Sequence, residues 1–167
     1  GGGVTTCNGA LNISGTGVKG IQLGRISNNN ATANSSATGA GNLGMSTATV
    51  INNVGTWDFQ GDGSVIWGVG TAPLFNNTGT VKKSAGTGTS FMQVPFTNDG
   101  IVLVQTGTLS SNQGRDGTGH CYMWSPKKYK RGGGTFKGNA GTTLTGTGKV
   151  LHTATDLRRN NEQGVPP

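Results

Sequence analysis

The chain is short of the materials for a thick apolar core. Only 31% of its residues are hydrophobic and 6% are aromatic, against about 45–50% apolar residues in an ordinary globular domain. No run approaches the roughly 18–20 apolar residues of a membrane-spanning helix. No basic–apolar–small leader pattern stands at the start, and the opening GGGV reads like the interior of a longer protein. Charge is scarce too, at 11%, and there are five prolines. That combination speaks against disorder of the highly charged or proline-rich kind. The two cysteines, Cys7 and Cys121, lie far apart without a CxxC partner. A cysteine metal site therefore has no support, while a disulfide and two free thiols both stay open. No metal or other cofactor is expected.

Several catalytic signatures are missing as well. The glycine–threonine runs contain no GxxxxGK[ST], so they are not phosphate loops. No GxSxG elbow marks a serine hydrolase, and no glycine-rich calcium nonapeptide is present.

What the chain has in excess is glycine, 32 of 167 residues, and a repeat built on it. INNVGTWDFQGDG begins at Ile51, FNNTGTVKKSAGTG at Phe75 and FTNDGIVLVQTGTL at Phe96. Each unit has an apolar residue, two asparagine-rich polar residues, a variable residue, a glycine, and then alternating strand-like positions. The anchoring glycines are Gly55, Gly79 and Gly100, giving a period of 24 and then 21 residues. Weaker relatives run from Asn8 to Gly24 and from Gly133 to Leu151. A fixed period of 20–50 residues marks a repeat architecture. Within each unit apolar and polar residues alternate with period two, the pattern of strands, and no window reads as an amphipathic helix. Asparagine and glycine at the corners suggest positive φ.

Short strands at this spacing fit an antiparallel sandwich or a parallel β-solenoid. The solenoid suits the composition better, because stacking like on like needs only a narrow interior. The expectation is an all-β parallel β-helix of about seven coils, 21–24 residues each. Residues 1–157 form the domain, 115–134 an irregular insertion loop and 158–167 a tail. The polar stretch Ser27–Asn42 is either a loop or coils whose outward face carries almost nothing large.

The FNNTGTV…GTG…VPFTNDGIVLVQTGTLS pattern, followed by GGTFKGNAGTTLTGTGKV, resembles the Gly/Asn/Thr-rich repeats of very large bacterial secreted and surface proteins. These are chains of the autotransporter-passenger and filamentous-adhesin kind. The resemblance covers Ile51–Ser111 and, more loosely, Gly132–Leu151. It implies a right-handed parallel β-helix, export, and exposure at the cell surface. It transfers no catalytic residue.

Candidate chemistry lies where the repeat breaks. The segment RDGTGHCYMWSPKKYKRGGG, Arg115–Gly134, concentrates aromatics and cations. Tyr122 and Trp124, with Lys127, Lys128, Lys130 and Arg131, would suit an acidic polysaccharide or cell-surface glycan through stacking and charge. Nucleic acid is the less favoured partner. Lys82 and Lys83 form a second basic cluster and Arg158 and Arg159 a third, on a chain of net charge +7. Cations of this kind ordinarily aid solubility and blunt strand edges. Carboxylates are few, which makes pairs notable. Asp58 and Asp62 in WDFQGDG would serve as acid and base on a glycosidic bond, and Asp116 with His120 offers two of the three members of a hydrolase triad. Ordinary turn use of aspartate competes with both readings. The leading functional expectation is thus a structural, adhesive or polysaccharide-binding repeat of an exported protein. The alternative is a carbohydrate-active or ester-cleaving hydrolase on the same scaffold.

Overall fold

Period-two alternation in units of equal length becomes, in three dimensions, a pile of parallel strands. The computed structural model describes residues 2–39 and 41–111 in full, together with the backbone of four later strands. Each coil lays one strand in each of three sheets. The first coil contains β1 (Val4–Cys7), β2 (Leu11–Ile13) and β3 (Lys19–Ile21). The second contains β4 (Ile26–Asn29), β5 (Thr32–Ser35) and β6 (Leu43–Met45). The third has β7 (Val50–Asn53), β8 (Thr56–Phe59) and β9 (Val65–Trp67). The fourth has β10 (Leu74–Asn77), β11 (Thr80–Lys83) and β12 (Thr89–Met92), and the fifth β13 (Phe96–Asn98), β14 (Ile101–Val104) and β15 (Thr108–Ser111).

The first sheet has the order β1-β4-β7-β10-β13. The second sheet runs from β2 through β14 and is extended by β16 (His120–Met123) and β18 (Leu144–Thr145). The third runs from β3 through β15 and is extended by β17 (Lys128–Arg131) and β19 (Lys149–His152). Neighbouring strands are parallel, as in β4–β7 and β7–β10. Over the described residues the protein is therefore a β-solenoid of five complete three-strand coils, with two of its sheets carried on to a sixth and a seventh level. The stretch Ser27–Asn42 supplies most of β4 and all of β5 to the second coil, and β16 and β17 bring two pieces of the 115–134 segment into the sheets.

The interior is one side chain deep from each sheet. In β7, β10 and β13 the inward residues Ile51, Phe75 and Phe96 stack in register and are essentially buried. The second sheet supplies Trp57 and Phe59. The Trp57 and Phe75 rings meet edge to face at 5.2 Å and 85°, and Phe75 and Phe96 at 5.8 Å and 65°. Such pairs add about 0.5–1.5 kcal/mol each beyond burial alone. The third coil thus contributes Trp57 and Phe59, the fourth Phe75 and the fifth Phe96, filling a lumen that the sparse apolar content otherwise leaves thin.

The corner glycines follow a different logic from the expected one. Gly55, Gly79 and Gly100 are absent from the positive-φ residues, which do include Gly70, Gly86 and Gly107. Their constraint is the coil beneath. A Cβ on Gly55 would sit 2.0 Å from the Ala31 carbonyl oxygen, on Gly79 2.1 Å from that of Gly55, and on Gly100 2.1 Å from that of Gly79. Backbone stacks on backbone here, and the amides of Thr78 and Gly79 both donate to the Asn53 carbonyl at 3.0 Å.

Stacking also separates the cysteines. Cys7 ends β1 at the first level, and Cys121 lies in β16 at the sixth. Five strand spacings are about 24 Å, far beyond the roughly 7 Å between Cα atoms that a disulfide tolerates.

Candidate functional site

In the first sheet β4, β7, β10 and β13 each end in two polar residues, and alternation sends one inward and one outward. The inward row is Asn29, Asn53, Asn77 and Asn98, each 1% exposed. Their carboxamides form a continuous ladder along the axis. Asn29 Nδ2 donates to Asn53 Oδ1 at 2.7 Å, Asn53 Nδ2 to Asn77 Oδ1 at 2.6 Å, and Asn77 Nδ2 to Asn98 Oδ1 at 2.6 Å. The same Nδ2 groups reach across the corner to the carbonyls of Thr56, Thr80 and Ile101. The ladder therefore ties β4, β7 and β10 of the first sheet to β8, β11 and β14 of the second and satisfies buried amide donors.

The ladder stops at Asn29, whose Oδ1 has no hydrogen-bond partner, because Cys7 holds the matching position in β1. A Cys7→Asn chain should gain the missing donor. We expect urea unfolding to show about 0.5–1.5 kcal/mol of added stability, and no gain for Cys7→Ala.

The outward row is Asn28, Asn52 and Asn76. It forms a second ladder, with Nδ2 to Oδ1 distances of 2.9 and 3.0 Å. Thr6 and Thr97 stand in register at its two ends. Beside this row, across the corner, lies a cleft of about 480 Å³ lined by Asn28, Asn30, Asn52, Val54, Asn76 and Asp99, among others. Val54 is 59% exposed there.

The carboxylates singled out in the sequence go elsewhere, and not to a common centre. Asp58, in register with Lys82, is buried on the outer side of the second sheet. Lys82 Nζ lies 3.2 Å from its Oδ2, Ser84 Oγ donates to Oδ1 at 2.7 Å, and Gln60 Nε2 donates to Oδ2 at 3.1 Å. Asp62 instead serves the interior. Its Oδ1 lies 2.9 Å from Lys83 Nζ and accepts the Gly88 amide at 3.1 Å. His120 begins β16, three strands along the second sheet from β8 and Asp58, about 14 Å by strand spacing. Tyr122 shares that strand, and Lys128, Lys130 and Arg131 lie on β17 in the third sheet. Asp116, Trp124 and Lys127 fall outside the described residues.

Lys83 departs from its expected place on a basic surface patch. It is fully buried, in register with Phe59 and Val104. Its ammonium donates to the Gly61 carbonyl at 2.7 Å and to Ser90 Oγ at 3.0 Å, as well as meeting Asp62. Alternation carries the signal: Lys83 shares a strand face with Val81. Ser90 Oγ also donates to the Gly61 carbonyl, and Asp62 is 43% exposed, so without the lysine the carbonyl and the serine keep their mutual bond and the carboxylate keeps its water. Replacing a buried ionic group by an apolar one of similar volume is often neutral or stabilising. Lys83→Met should accordingly change unfolding free energy by no more than about 2 kcal/mol, whereas Lys83→Ala should lose roughly 2–5 kcal/mol through the cavity. Equilibrium denaturation of the two variants distinguishes filling from ion pairing.

A comparison with protein-family models, with curated proteins and with solved structures finds no match to the chain. Its class is therefore defined by its own geometry: a parallel β-solenoid repeat protein with stacked asparagine ladders.

Proposed function

We propose that this chain is a rod-forming repeat segment of an exported bacterial surface protein, with a structural and adhesive role that includes contact with polysaccharide. The observation that carries the reading is how the polar groups are spent. The ladders, Asp58 and Lys83 are all bonded in ways that hold coil to coil, and Asp58 and Asp62 serve different sides of the sheet. A hydrolase needs its acid and base on one substrate bond. Export and the cell surface enter through the resemblance of the repeats alone.

The test pairs retention on immobilised polysaccharides at two salt concentrations with a hydrolase and lyase panel on the same preparations. Retention without turnover supports the reading. Turnover that is lost in His120→Ala overturns it in favour of the hydrolase, and no retention on any polysaccharide removes the adhesive part.

A further inference from the structure

We infer that the cleft beside the outer asparagine row is a binding site for a neutral, hydroxyl-rich glycan chain lying along the solenoid axis. This deepens the polysaccharide contact proposed above and rests on it. Each carboxamide has two N–H donors and an oxygen with two lone pairs. The outer ladder uses one donor and one acceptor of the central amide, Asn52, in its bonds to Asn28 and Asn76. A second donor and a second acceptor remain on Asn52. Vicinal sugar hydroxyls present a matching donor and acceptor.

The spacing fits a polymer better than a single sugar. The amides recur once per coil, about 4.8 Å apart, and a β-1,4-linked pyranose advances by nearly the same length per ring. Asn28, Asn52 and Asn76 thus offer one polar grip per sugar over three rings. Val54, exposed at the cleft, gives an apolar contact for the C–H face of a ring. Such sites ordinarily combine apolar lining with a few placed polar groups.

Charge selects the class of glycan. The lining is five asparagines, Val54 and Thr78, with Asp99 as its one ionisable group and no cation, so a polyuronate would find no positive partner there despite the positive balance of the whole chain. The acidic glycan expected from the Lys127–Arg131 region is thus a different ligand for a different part of the molecule.

The experiment is a titration of the ¹⁵N-labelled chain with cellohexaose, chitohexaose and mannohexaose, and with hexagalacturonate as the acidic comparator. The side-chain NH₂ resonances of Asn28, Asn52 and Asn76 are followed at low and high salt. A neutral hexaose is expected to shift all three, with an affinity that salt leaves unchanged. Asn52→Thr should weaken binding by at least about fivefold, the worth of roughly one hydrogen bond. Asn34→Thr, on the second sheet, should leave it intact. Val54→Glu alters only an exposed position and should abolish the shifts even if Asn52→Thr perturbs the fold.

Absence of shifts at these amides with every neutral hexaose overturns the inference. Salt-sensitive binding of hexagalacturonate alone also overturns it, while leaving the broader polysaccharide-contact reading standing.

Discussion

Gly79→Ala is expected to lower the unfolding free energy by roughly 2–4 kcal/mol. The added methyl has nowhere to go. It would lie 2.1 Å from the Gly55 carbonyl oxygen and 2.2 Å from that of Val54, and both belong to backbone of the coil beneath. A flexible side chain would move aside, but here two coils must separate, and the amides that Thr78 and Gly79 donate to Asn53 lengthen with them. The same corner one coil from the start carries Ala31, stacked over Gly9. A Cβ on Gly9 meets nothing within 4 Å, so Gly9→Ala should be nearly silent. Urea denaturation of the two variants, followed by circular dichroism, makes the comparison. A Gly79→Ala midpoint equal to that of Gly9→Ala would show that stacking does not dictate glycine at this corner.

The second large effect is expected at Asn53. Its carboxamide accepts from Asn29 and donates to Asn77 Oδ1 and to the Thr80 carbonyl. Asn53→Ala removes the donor from the buried Asn77 oxygen and from the half-buried Thr80 carbonyl, takes the acceptor from Asn29, and opens a void. Unsatisfied buried groups cost about 1–3 kcal/mol each, so the total should fall near 3–5 kcal/mol. The outward neighbour Asn52 is solvated, and Asn52→Ala should cost less than about 1 kcal/mol. Hydrogen exchange should speed most at the amides of Thr78 and Gly79.

Asn53→Asp gives the same site a pH signature. A carboxylate there has no proton for the Asn77 oxygen, and burial among acceptors raises its folded pKa above the unfolded value. The unfolded state then holds fewer protons than the folded one across the window between the two. Stability of the variant should therefore fall as pH rises above the ordinary carboxylate range and recover on acidification. A variant whose stability is flat with pH would mean that the position is open to water.

The repeat was legible because stacking rewards likeness. Ile51, Phe75 and Phe96 head their units in the sequence and share one column in the structure. The inner asparagines were legible in principle as well. In FNN the alternation that turns Phe75 inward also turns Asn77 inward and leaves Asn76 outside. The pair reads as one polar corner only when composition is given more weight than period. Lys83 was missed for the same reason, since a lysine beside a lysine looks like surface. The cleft had no signature at all, because its lining joins Asn28, Asn52 and Asn76 from three coils with Asp99 from the next corner.

By itself, the sequence determined the kind of architecture: too few large apolar residues for a thick core, and units of matched length whose alternation specifies strands. Those are local properties, and a periodic chain repeats them at each level. Only the tertiary structure decided that the corner glycines yield to the coil below rather than to φ, that the inner asparagines join into one ladder and Lys83 closes on Gly61 and Asp62, and that Asp58 and Asp62 part company. Each of these depends on which atoms of one coil rest against atoms some 21–24 residues away, and that proximity comes into being only when the coils are stacked.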